Sequence, residues 1–274
     1  MKHLIAFDLD GTLATSKQPL EPAMGEALAD LLDVVDVAVI SGGDWPQFEK
    51  QLVSGLPVRA NIARMWLMPT SGTKLYTHGS GAWRPVYAEL FADDERHRIL
   101  RAFDAVLEAT GFVPEAVWGE RVEDRGSQIT FSALGQAAPI DAKEKWDPDF
   151  AKRKVIQRDL CRRLPGMSVN MGGATSIDVT REGVDKAYGL TKLQGVSGIS
   201  LDAMLFVGDA IFPGGNDYPA KTLGLDTVSV RDPRETRAVI DAIIACLKPA
   251  PTAGAIRHAS AANDRAQSVV GAEA

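Results

Sequence analysis

Four short apolar runs in this 274-residue chain stop abruptly at polar residues, and this pattern restricts the fold more than any other feature of the sequence. The runs are Leu4 to Phe7 before Asp8, Val34 to Ile40 before Ser41, Met204 to Val207 before Gly208-Asp209, and Thr227 to Val230 before Arg231. Continuous rather than alternating hydrophobicity marks a strand covered on both faces, as in a parallel sheet. Amphipathic stretches separate the runs: Ala23 to Leu32, and Arg234 to Leu247, in which Val239, Ile240, Ile243, Ile244 and Leu247 keep helical spacing. Strands alternating with helices predict an α/β fold with a Rossmann-like core, a parallel sheet with helices on both faces.

From Trp83 to Arg181 the texture changes. Asp94 to Thr110 sets Ile99, Leu100, Phe103, Val106 and Leu107 on one helical face and stops at Gly111. Asp147-Pro148 offers a cap and first-turn pair for a second helix carrying Phe150, Val155, Ile156, Leu160 and Leu164. Ser127 to Leu134 and Thr175 to Thr180 alternate with period two, so that Gln128, Thr130 and Ser132, and likewise Ser176 and Asp178, share a polar face. Such a sheet suits a lid over a site, and equally a face turned to water. The expected division is a core of 1–82 and 183–248, an inserted α+β cap domain of 83–182, and a disordered tail of 249–274.

Thirty Lys+Arg against 36 Asp+Glu give a net charge of -6, which argues against a grip on a nucleic-acid backbone. Cys161 and Cys246 show neither disulfide nor zinc spacing. Asp8 interrupts the N-terminal apolar run too soon for a signal peptide, and no run reaches the length of a membrane helix. A cytoplasmic protein is expected, with no membrane partner.

Asp8-Leu9-Asp10-Gly11-Thr12 falls at the carboxyl end of the first strand, where open α/β sheets bind ligands. One of two carboxylates so spaced can attack phosphorus or hold a divalent cation while the other moves a proton. Gly11 lets the backbone turn around a phosphate, and Thr12 can donate to it. Ser41, followed by Gly42-Gly43, can bind a phosphoryl oxygen through its hydroxyl and the next amides, or merely cap a helix. Lys186 can neutralise developing charge, or lie on the surface. Asp209 and Asp217 can share a hard cation, with Mg2+ the natural candidate.

In their order these segments resemble the four motifs of the haloacid dehalogenase superfamily. The distance from Ser41 to Lys186 is similar to that in members with a large α/β cap (type IIB). Gly208-Asp209-Ala210-Ile211-Phe212-Pro213-Gly214-Gly215-Asn216-Asp217, Gly172-Gly173-Ala174-Thr175-Ser176-Ile177-Asp178-Val179 and Asp185-Lys186 resemble eukaryotic-type phosphomannomutases in particular. The resemblance implies Asp8 as nucleophile, Asp10 as general acid/base, and Mg2+ held by Asp8, the Asp10 carbonyl and Asp209, with Asp217 in support. It places Arg125, Ser176 and Asp178 on the sugar phosphate. Two positions depart from it: Gln136 and Lys17 stand where the family has arginines. A mutase must hold a phosphorylated sugar in two orientations and keep water from its phosphoaspartate, so losing bidentate arginines favours hydrolysis. The expected activity is thus Mg2+-dependent hydrolysis of a sugar phosphate or similar small phosphomonoester. A hexose 1-/6-phosphomutase is the alternative, and a receiver-like phospho-acceptor module a remote third. A homodimer is left open.

Overall fold

The structure is a computed structural model that describes residues 1–172 and 174–248, so the tail expected over 249–274 lies outside the described residues. The chain begins with β1 (Leu4–Phe7), α1 (Pro22–Leu32), β2 (Asp36–Ile40), α2 (Trp45–Gln51), β3 (Met65–Met68), β4 (Lys74–Gly79) and β5 (Ala82–Ala88). It then forms α3 (Asp93–Thr110), β6 (Val122–Asp124), β7 (Ile129–Ser132), α4 (Ile140–Trp146), α5 (Ala151–Arg163), β8 (Met167–Met171) and β9 (Ser176–Arg181). It closes with α6 (Lys186–Ser197), β10 (Met204–Gly208), α7 (Tyr218–Thr222), β11 (Asp226–Ser229) and α8 (Pro233–Leu247).

Seven strands make one sheet in the order β11-β10-β1-β2-β3-β4-β5, parallel from β11 to β3 and antiparallel at β4 and β5. The apolar run of β1 is buried on both sides, as its composition demands. Ile5 and Phe7 meet Leu28 and Leu31 of α1 and Ile240 of α8. Leu4 and Ala6 meet Leu190 and Leu193 of α6 on the opposite face. Each such large side chain contributes about 1.5–3 kcal/mol of burial energy. From β1 the chain works outward through β2 and β3, whereas β10 and β11 lie on its other side. The strand order therefore reverses at β1, and the crevice for a ligand opens beyond its carboxyl end.

The second sheet, β6-β7-β9-β8, is antiparallel throughout. α3 and α5 cover one face of it through Ile99, Phe103, Val106, Ile156 and Leu160, packed on Phe131, Ile177 and Val179. The polar face is turned to the core, because side chains from its rim reach the loop after β2. Among the described residues no helix is long and apolar enough to cross a membrane.

Two expectations are corrected. The cap was expected to start at Trp83, but that residue lies within β5, the edge strand of the large sheet. Edge strands are half-exposed and tolerate Pro85, so β5 lacks the buried run that marks the inner strands. The helix expected from Asp147-Pro148 starts instead at Ala151, after Phe150 in a left-handed conformation. Asp147 still caps it from a distance, accepting from the amides of Lys152 (2.9 Å) and Arg153 (3.2 Å). Phe150 and Val155, expected in its apolar face, are exposed.

Candidate active site

Three adjacent parallel strands deliver the acidic residues and Ser41 to one crevice. Asp8 follows β1, Ser41 follows β2, and Asp209 follows β10. Asp8 is 3% exposed, and its Oδ1 lies 2.6 Å from Lys186 Nζ. Lys186 opens α6, whose N-cap Asp185 accepts from the Tyr188 amide, and its ammonium also donates to Asp217 Oδ1. Asp217 is fully buried, and its Oδ2 accepts from the Ala210 amide at 3.0 Å. Lys186 is thus a buried cation bridging two carboxylates, and the surface alternative for it is excluded.

Burial pushes the Asp8 carboxyl up to about 7 against the pull of Lys186, and the Asp217 charge adds to the rise. Burial opposes the charge on Lys186, but Asp8 and Asp217 outweigh it and hold the ammonium above the usual lysine range. Asp209 is raised by burial and by Asp217. Carboxylate oxygens of Asp8, Asp209 and Asp217 fall within 4.8 Å of one another. An all-oxygen set of crowded carboxylates suits a hard divalent cation, which would relieve their repulsion. Gly11 turns against this group with φ 87°, and a β-carbon there would collide with the Asp209 carboxylate. Thr12 is buried, its hydroxyl 3.4 Å from Asp209 Oδ1.

The loop after β2, expected to bind phosphate, is more engaged than expected. The Gly43 amide donates to Ser41 Oγ (3.2 Å), so this amide serves the loop itself. The Gly42 carbonyl accepts from Arg125 Nη1 (2.6 Å) and Gln128 Nε2 (3.2 Å), both from the inserted region. Arg125 is buried, pairs through Nη2 with Glu123 (2.7 Å), and has no partner for Nε among the described residues. Lys17 and Gln136, the two departures, meet across the cleft: Lys17 Nζ donates to Gln136 Oε1 at 3.2 Å. The cleft encloses about 290 Å³ between Lys17, Gln47, Lys50, Arg125 and Gln136. Asp178 accepts from Thr130 Oγ1 (2.7 Å); burial raises its carboxyl, opposed by Arg125. Ser176 is half-buried on the same strand, paired in register with Ser132.

Four residues went unnoticed in the sequence as site residues. Gln47 and Gln51 donate to the Asp10 carboxylate. Gln128 ties the inserted sheet to Gly42. Lys143 donates to the Gln136 carbonyl (3.2 Å), and burial together with Lys17 lowers it from the usual lysine range. The i,i+4 spacing of the two glutamines was the one available signal.

A family model described as eukaryotic phosphomannomutase matches residues 24–246. That match begins beyond Asp8 to Thr12, so the first motif rests on its own geometry. Phosphomannomutase 1 of Homo sapiens is 26% identical over 242 residues, covering 84% of this chain and 88% of that protein. The phosphomannomutase of Schizosaccharomyces pombe is 28% identical over 253 residues, covering 88% and 94%. Among solved structures, IMP-bound IMP-nucleotidase of Plasmodium falciparum superposes with a TM-score of 0.66 at 17% identity, over 89% of this chain and 68% of that one. A haloacid dehalogenase-like hydrolase from Bacteroides thetaiotaomicron gives 0.62 at 16% identity, over 89% and 100%. At such identities the structural likenesses establish the fold alone.

Proposed function

Because this chain belongs to the eukaryotic phosphomannomutase family, within the haloacid dehalogenase superfamily, we propose that it is a hexose phosphomutase. It interconverts the 1- and 6-phosphates of mannose or glucose through a phosphoryl group carried on Asp8. The match over residues 24–246 carries this reading. Asp8 attacks one phosphorus of the bound sugar bisphosphate, the bond from that phosphorus to the sugar oxygen breaks, and Asp10 gives that oxygen its proton, leaving a monophosphate. In the return step Asp10 takes the proton of the acceptor hydroxyl as its oxygen attacks the phosphoryl group and the bond to Asp8 breaks. Lys186 stays charged beside the reacting oxygens, and Asp217 holds it there.

Asp8, Asp209 and Asp217, with the Asp10 carbonyl, would hold Mg2+, which when bound supplies positive charge against the phosphoryl oxygens. Gly11, Thr12, Ser41 and Gly42 surround the transferring group, while Arg125, Gln136, Lys17, Ser176 and Asp178 face the sugar and its second phosphate. Two free cysteines, both exposed, support a reducing, cytoplasmic setting.

The second reading is the hydrolysis anticipated from the sequence, and the Lys17–Gln136 contact favours it. A neutral amide and a point charge hold a non-transferring phosphate less firmly than paired arginines. One assay separates the two readings. Glucose or mannose 1-phosphate is supplied with its bisphosphate and Mg2+, and 6-phosphate formation and phosphate release are followed together. The mutase reading expects the isomer to form faster; phosphate outrunning isomer installs the hydrolase.

A further inference from the structure

Asp10 is held by a closed ring of hydrogen bonds that the phosphotransfer reading leaves unused. Gln47 Nε2 donates to Asp10 Oδ2 at 2.8 Å, and also to Gln51 Oε1 at 2.9 Å. Gln51 Nε2 donates in turn to Asp10 Oδ1 at 3.0 Å. The Lys17 amide completes the set at 2.7 Å on Oδ1. The two glutamines stand one turn apart on α2, the helix that starts directly behind Ser41-Gly42-Gly43-Asp44. Gln51 is 2% exposed, so its amide has left water for this partner.

The ring is separate from what anchors the helix. Phe48 and Leu52 plug α2 into the apolar core and are fully buried. The backbone has also made room for the ring at Gly43. A β-carbon at that position would stand 2.6 Å from Gln47 Cδ, closer than any real contact, and would force the amide away. Neutral amides fix the plane of a carboxylate without adding another charge to a site that already buries Lys186.

We propose that Gln47 and Gln51 are positioning residues for proton transfer, aiming the Asp10 carboxyl at the sugar oxygen, and that Gly43 is glycine to admit Gln47. This rests on the phosphotransfer reading above. Proton donation matters in proportion to the basicity of the departing oxygen, so a misaimed acid harms poor leaving groups and spares good ones. A loss of general structure would harm both alike.

The test compares phenyl phosphate with 2,4-dinitrophenyl phosphate in wild type, Gln47→Met, Gly43→Ala and the double variant. Gln47→Met keeps the length and bulk of the side chain and removes its hydrogen bonds. It should lower kcat/KM, which reports transfer to Asp8 and not the later breakdown shared by both esters, by about 100-fold on phenyl phosphate and by less than about threefold on the dinitrophenyl ester. Gly43→Ala should reproduce this selectivity by displacing an intact amide. The double variant should be no worse than Gln47→Met alone, since both changes act through one contact. Equal losses on the two esters, no loss, or additive losses in the double variant would overturn the proposal. If Gln47→Met does not fold, Gly43→Ala decides by the same selectivity. A wild type that cleaves both aryl esters but neither isomerises nor hydrolyses sugar phosphates would sink the proposed substrate and leave the ring's test standing. A wild type inert to every phosphate ester would sink both.

Discussion

At position 136 a neutral amide faces an ammonium from position 17, and under the proposed function this pair would help hold a second anionic group. Lys143 lies close enough that Lys17 helps depress it, so the cleft collects positive charge without an arginine pair to fix a phosphate. Gln136→Arg adds a further cation there. In the absence of ligand it should lower Tm by a few degrees, and phosphate or sugar bisphosphate should restore it. With hexose 1-phosphate and bisphosphate, the ratio of isomer to released phosphate should rise severalfold, read by coupled detection of 6-phosphate beside phosphate release. An unchanged ratio would show that position 136 does not hold the second phosphate. Asp8→Asn is expected to remove turnover by several orders of magnitude while leaving Tm within a few degrees, since Lys186 keeps Asp217. Near wild-type kcat in purified Asp8→Asn would refute the nucleophile. Asp8 and Asp209 were legible in the sequence because each closes an apolar run, and Asp10 because it stands two residues beyond Asp8. Gln47, Gln51 and Lys143 were not: the glutamines offered only an i,i+4 spacing that solvated helix surfaces share, and Lys143 offered none.

Among the elements, α5 shows how a buried charge pair can replace a local start signal. Asp147 and Arg153 are almost wholly buried, paired at 2.8 Å, and the guanidinium also donates to the Gly172 carbonyl. Burial works to raise the Asp147 carboxyl, but Arg153 and the amides of Lys152 and Arg153 outweigh it and hold it below its usual value. The folded state therefore binds this proton less readily than the unfolded chain. The stabilisation is present above the unfolded value, about 3.9, and is lost as pH falls through the lower folded value. Asp147→Asn, which strips the buried guanidinium of its counter-charge, should cost about 3 kcal/mol near neutral pH and flatten the acid limb of stability against pH, both measurable by denaturant titration. A loss below about 1 kcal/mol would mean that water reaches the pair. The sequence showed Asp147 as a cap but not its partner, since a buried Arg six residues on looks like any helix-surface arginine. The hairpin of β4 and β5 was missed although Ser80 and Gly81 both take positive φ, as a tight two-residue turn requires. Its strands, at the sheet edge, carry too little buried surface to stand out as strands in the sequence.

Over the whole molecule, core and inserted sheet are joined by two crossings, after β5 and after β9, and one arginine ties these crossings together. Arg181 Nη2 donates to the Leu90 carbonyl at 2.8 Å and to Glu95 at 2.7 Å, while Nη1 reaches the Glu89 carbonyl at 3.4 Å. Glu89 is itself fastened to α6 by Lys192 Nζ (2.6 Å) and the Tyr188 hydroxyl. The first crossing is thus pinned both to the second and to the helix that bears Lys186. If the inserted sheet must swing away to admit a sugar phosphate and return to exclude water, these contacts fix the path of that motion. Arg181→Met keeps much of the packing and removes the tie. It should leave Tm within a few degrees, because the Arg181–Glu95 pair is partly open to solvent and worth little on its own. KM for a hexose phosphate should rise severalfold, with a smaller change for an aryl phosphate that needs no contact with Arg125 or Asp178. Release of phosphate relative to isomer should also increase, since a loosely hinged lid readmits water to the phosphoryl group on Asp8. Steady-state kinetics on both substrate classes, with Tm as control, measures each part. Equal KM shifts for the two classes would show that Arg181 supports the fold rather than the closure.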